Sequence, residues 1–110
     1  MEINNQTIAV GTILEINGTE YEVISLEGDF WYYEDKGMVN RGEIANLHLV
    51  GDKRLGVPTP THTLYFNNKT REFEFNEILI KQNPNIPKDI KQRVYTSKSN
   101  KIPINEISIK

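Results

Sequence analysis

The sequence predicts a mainly β domain of the α+β class: an antiparallel β-meander or small barrel, a second β-hairpin and one short C-terminal helix. Three observations carry this reading. Apolar residues alternate with polar ones over short runs, which is the period of a half-buried strand. Asn, Gly and Asp cluster between the runs, where hairpin turns need them. A four-residue apolar spacing, the mark of a helix face, occurs near the end.

Taken in order, Ile8, Val10, Leu14 and Ile16 share one face of an extended strand over residues 7–16. Asn17-Gly18 accepts the positive φ angles of a two-residue type I′ turn, so a hairpin to Tyr21-Glu22-Val23-Ile24 is expected. Glu27-Gly28-Asp29 reads as the next turn and Glu34-Asp35-Lys36-Gly37 as another, on either side of Phe30-Trp31-Tyr32-Tyr33. These divisions give a meander of four strands. Over residues 40–50, Asn40 and Glu43 have capping-box spacing, but Ala45, Leu47 and Leu49 alternate with Asn46 and His48 and favour a strand.

Pro58 and Pro60 make residues 55–62 a connector, because proline fixes φ and lacks an amide donor. Leu64-Tyr65-Phe66 and Glu72-Phe73-Glu74-Phe75 flank Asn67-Asn68-Lys69-Thr70 as a second hairpin, after which residues 76–82 continue as strand or begin a helix. Pro87 is placed to start a helix over residues 88–95, with Ile86, Ile90 and Val94 packed on the sheet and Lys88, Lys91 and Arg93 toward water. In the last segment Ile102 and Ile104 lie on one face and Ile107 and Ile109 on the other, with a register break near Asn105. The whole chain, 1–110, reads as a single domain: meander 1–54, connector 55–62, and hairpin, helix and terminal strand 63–110. In pattern the first part resembles small barrels that serve as binding modules.

Composition narrows the chemistry. With no cysteine there is no disulfide, thiolate nucleophile or Cys-based zinc site. A start with neither a basic region nor an apolar stretch, and no run of apolar residues long enough to span a bilayer, point to a cytoplasmic protein without membrane contact. Three Asn-X-Thr sequons, at Asn5, Asn17 and Asn68, are then chance products of an Asn-rich chain. Abundant Ile, Asn and Lys fit the AT-rich coding associated with bacteria and phages. The net charge is −2, with acids concentrated in the first half and bases in the last third.

Nothing in the chain resembles a catalytic or cofactor motif, so a non-enzymatic protein without cofactor is expected. His48 and His62 lack a metal-binding spacing, Glu34-Asp35 lies in a turn, and no Gly-rich phosphate loop or serine triad context occurs. The aromatic run is the informative feature. In a strand, Phe30 and Tyr32 point one way and Trp31 and Tyr33 the other, so one aromatic face needs cover by the helix, a second copy, a partner or a ligand. Trp31 and Tyr33 are therefore the candidate partner-binding residues. The leading expectation is a binding or inhibitor protein acting through protein surfaces, an accessory protein of a bacterium or phage, self-associating or holding a protein partner. The alternatives are a nucleic-acid-associated regulator contacting polyanion through Lys88, Lys91, Arg93, Lys98 and Lys101, and a structural subunit of a larger assembly.

Overall fold

The computed structural model describes residues 1–51, 60–81, 92–95 and 100–110. Asn17 and Gly18, at φ of 52° and 82°, reverse the chain between β3 (Ile13–Ile16) and β4 (Thr19–Tyr33), as the Asn-Gly dipeptide predicts. Residues 34–36 then turn β4 into β5 (Gly37–Leu49), with Tyr33 paired to Gly37. Next come β6 (His62–Asn67) and β7 (Phe73–Lys81), which form the second hairpin, then β8 (Gln92–Tyr95), β9 (Lys101–Ile102), a 3₁₀ turn at Ile104–Glu106, and β10 (Ile107–Ile109). Before β3, Asn4 and Asn5 in left-handed conformation join two-residue strands, β1 (Glu2–Ile3) and β2 (Gln6–Thr7).

All pairing is antiparallel, in the order β10-β3-β4-β5-β6-β7, and the outer edge of β7 is shared. Its beginning pairs with β9, and its end, residues 78–81, pairs with β8. The terminal segment curls the sheet. Lys101 and Ile102 pair with β7 while residues 107–109 pair with β3, so five Cα steps link opposite ends of the sheet. Such a link reaches at most about 18 Å even when fully extended. The result is an incomplete barrel whose inner face packs Leu14, Ile16, Val23, Ala45, Leu47, Leu64, Phe73, Ile102 and Ile107, with Ile3 and Ile8 of the N-terminal segment in the same cluster.

Several expectations require correction. The strand expected over residues 7–16 is broken: Gly11 takes φ 95°, Thr12 N donates to Ala9 O, and Val10 is turned out to solvent. No turn occurs at Glu27-Gly28-Asp29, because β4 continues through it, so two of the expected four strands merge and β3, β4 and β5 stand in their place. Gly28 instead leaves room for the Phe30 ring, since a β-carbon there would lie 2.4 Å from it. Among the described residues there is no α-helix, and Gln92–Tyr95, expected as the end of one, is a strand. The edge of β7 offers Val94 and Tyr95 backbone partners in Leu79 and Ile78, and β-branched and aromatic residues suit that role. Ile86 and Ile90, with most of the connector, lie outside the described residues. Ile104 belongs to the 3₁₀ turn and is exposed, so the break expected near Asn105 takes this form.

Candidate functional site

Beyond the barrel, β4 and β5 continue alone. The ladder between β3 and β4 ends at Glu22, and β6 pairs with β5 only from Gly42 onward, so residues 30–33 and 37–41 form a two-stranded arm. It extends about 13 Å at the usual rise per residue. An isolated ribbon is marginal in water, so its root must be fastened. Asp29 does this: Oδ1 accepts from Trp31 Nε1 at 2.9 Å, and Oδ2 accepts from the Tyr65 hydroxyl of β6 at 2.8 Å. Burial, followed by the hydrogen bond to Asp29, pushes the Tyr65 phenol up to about 12. On the other strand, the Asn40 side-chain oxygen accepts from Gly42 N and from Asn68 Nδ2 at 2.9 and 3.3 Å.

Two irregularities aim the arm. Pairing shifts by one residue between Val23 and Ser25 and again between Asp29 and Phe30, where Arg41 is the extra residue on β5. The two faces of the arm then differ in chemistry. One extends the inner face of the barrel through Leu26 and Gly28 to Phe30 and Tyr32, with Met38 opposite Tyr32. Phe30, Tyr32 and Met38 remain 56, 70 and 64% exposed. A hollow of about 250 Å³ lies at its root, among residues including Leu26, Gly28, Phe30 and Glu43.

The opposite face carries Trp31, 51% exposed, with the Arg41 guanidinium 4.8 Å from its ring centroid. Beside it, between the arm and the turn joining β6 to β7, is a cleft of about 410 Å³. Tyr33, Lys36, Asn40, Arg41, Asn67 and Lys69 are among its lining residues. The turn is held against the arm by Asn68, whose N–H donates to Arg41 O and whose amide donates to Asn40.

Of the residues singled out from sequence, Trp31 and Tyr33 lie on the arm and are exposed, and the expected helix cover over the aromatics is not found among the described residues. Glu34 and Asp35 occupy the exposed turn at its tip. Lys101 is exposed and pairs with Glu72 at 3.1 Å, whereas Lys88, Lys91 and Lys98 lie outside the described residues, and Arg93 is placed in β8. His62 stacks on Phe75 with centroids 5.1 Å apart, and burial lowers its pKa against the pull of Glu77. His48 is buried, across from Glu22. Among the described residues no cluster of three or more His, Asp or Glu is placed to hold a metal, and no helix is long and apolar enough to cross a membrane.

Sequence reasoning missed Arg41, Asn40, Asn67 and Lys69 as members of one site. They belong to two hairpins, and only the pairing of β5 with β6 brings them together. The density of Asn around residues 67–68 was the available signal. Comparison with family models, with curated proteins and with solved structures finds no match to this chain.

Proposed function

We propose that this chain is a non-enzymatic binding or inhibitor protein that engages a protein partner through the projecting β4–β5 arm. The supporting observation is the exposed face of Phe30, Tyr32 and Met38 on a ribbon that has left the barrel. Large aromatic and Met side chains are enriched at the centres of interfaces, and burying each would be worth about 1.5–3 kcal/mol before the costs of association. From residue 24 onward, β4 also has no ladder partner on its outer edge among the described residues. The partner we infer is an extended segment that adds to this edge by backbone hydrogen bonds and places alternate apolar side chains against Phe30 and Tyr32.

The experiment compares capture by the wild type with capture by Phe30→Ser/Tyr32→Ser/Met38→Ser, followed by amide hydrogen exchange on the complex. Loss of a captured protein in the variant, with protection over residues 24–33 in the wild-type complex, supports the reading. Capture that survives the substitutions, or protection confined to the barrel, overturns it. Protection of the same residues with a doubled mass and no second protein would assign the edge to another copy of this chain.

A further inference from the structure

We propose that the cleft between the arm and the β6–β7 turn binds single-stranded nucleic acid, with phosphates among Lys36, Arg41 and Lys69 and an unpaired base against Tyr33 or Trp31. The site lies on the face opposite Phe30 and Tyr32, so it stands independently of the protein-partner reading.

The hydrogen-bonding inventory favours an acceptor-rich ligand. Asn67 Oδ1 accepts from the backbone N–H groups of Lys69 and Thr70, at 2.9 and 3.1 Å, and Asn40 Oδ1 accepts from Gly42 N. Backbone N–H groups can only donate, so these contacts fix the orientation of both carboxamides. Their Nδ2 groups are left as donors. Lys36, Arg41 and Lys69 add cationic donors to the same cleft, and none of the ion pairs among the described residues uses them. An anion that accepts several hydrogen bonds complements this set.

Three features select a single strand among anions. The cleft, about 410 Å³, lies at the small end of the range for sites that enclose a compact ligand unit. Tyr33 lines it and the exposed Trp31 ring stands beside Arg41, and sequence-tolerant binding of single strands combines cations with such stacking surfaces. Lastly, Glu34 and Asp35 at the arm's tip oppose insertion of the ribbon between the two phosphate rows of a duplex groove. The acidic balance of the whole chain is small, and Lys36, Arg41 and Lys69 bring three cations to the cleft against the carboxylates of Glu34 and Asp35 at the tip.

The test uses the full chain with a labelled oligothymidylate, its duplex with oligoadenylate, and inorganic pyrophosphate. Trp31 is the sole tryptophan, so its fluorescence reports directly on the site. We expect the oligothymidylate to quench Trp31 and to bind about 20-fold more weakly at 200 mM than at 50 mM salt, the fall for three phosphates on a single strand. Lys36→Gln/Arg41→Gln/Lys69→Gln should lose binding while keeping its melting temperature, and Arg41→Lys should retain most of it. The Phe30→Ser/Tyr32→Ser/Met38→Ser variant should bind the oligomer unchanged, which separates this proposal from the previous one. Absence of binding at 50 mM salt, or undiminished binding by the triple Gln variant, overturns the proposal. Equal affinity for the duplex also overturns it, as does pyrophosphate binding as tightly as the oligomer, which would define a small-anion site.

Discussion

Tyr65 on the barrel donates its hydroxyl to Asp29 Oδ2 at 2.8 Å, and this is the bond that ties the root of the β4–β5 arm to a neighbouring strand. Because Asp29 also accepts from Trp31, one carboxylate both fastens the arm's root and orients the indole. Tyr65→Phe should cost roughly 1 kcal/mol in denaturant unfolding, the usual worth of a partly exposed hydrogen bond. It should also raise amide exchange in residues 29–33 relative to the barrel. The phenol's pKa, raised from 10.0 to about 12, makes the same bond pH-sensitive. A raised folded value means that this stabilisation is complete below pH 10 and is lost as pH approaches about 12. Asp29→Asn should return the Tyr65 titration, followed by NMR of its ring carbon, toward 10.

Gly42 is required by space. A β-carbon there would lie 2.5 Å from Phe66 O and 2.5 Å from the Tyr65 hydroxyl oxygen. Gly42→Ala should therefore push β5 away from β6 and destabilise the domain by about 1–3 kcal/mol, the cost of overpacking. Phe66 O belongs to the backbone and cannot move aside as a side chain can. Unfolding curves of Gly42→Ala and Gly42→Ala/Tyr65→Phe should both show the loss. Wild-type stability in the double variant would assign the strain to the Tyr65 hydroxyl alone.

His62 makes stability fall in acid. It stacks on Phe75, with its centroid 4.8 Å from that of Tyr21, and burial depresses its pKa below 6.5. With the folded value depressed, the unfolded chain takes up the proton first, so the contribution is full above pH 6.5 and declines as pH falls toward the folded pKa. A His62→Phe variant should flatten the melting temperature between pH 7 and the folded pKa measured by NMR. An unchanged pH slope would remove His62 as its source.

The two isoleucines flanking Asn105 should respond in opposite ways. Ile107 is buried at the seam between β10 and β3, whereas Ile104 is exposed in the 3₁₀ turn. Ile107→Asp places an unpaired charge in the core and should abolish cooperative melting, while Ile104→Asp should leave it within about 0.5 kcal/mol of the wild type. Circular dichroism melts of the two variants provide the comparison.

Local signals in the sequence were legible because their causes are local. Asn17-Gly18 makes its turn with positive φ at both residues, and the hairpins around residues 34–37 and 67–70 form where turn chemistry separates strand-like runs. Glu27-Gly28-Asp29 shows the limit. The residues have turn composition, yet each pairs with β5 and Asp29 accepts from Tyr65 of β6, so contacts distant in sequence outweigh a turn propensity worth little by itself. The same override acts at residues 92–95, where the apolar spacing suggests a helix but the open edge of β7 supplies strand pairing.

The candidate site divides in the same way. By itself, the sequence determined an antiparallel β domain with an aromatic strand whose two faces could not both be satisfied by alternation, because side-chain direction along a strand follows from backbone geometry. Only the tertiary structure decided that this strand leaves the barrel and exposes both faces, since that depends on where β3 and β6 stop pairing. It also decided that Arg41 meets Lys69 in one cleft. Residues distant in sequence become neighbours through sheet register, which no local pattern encodes.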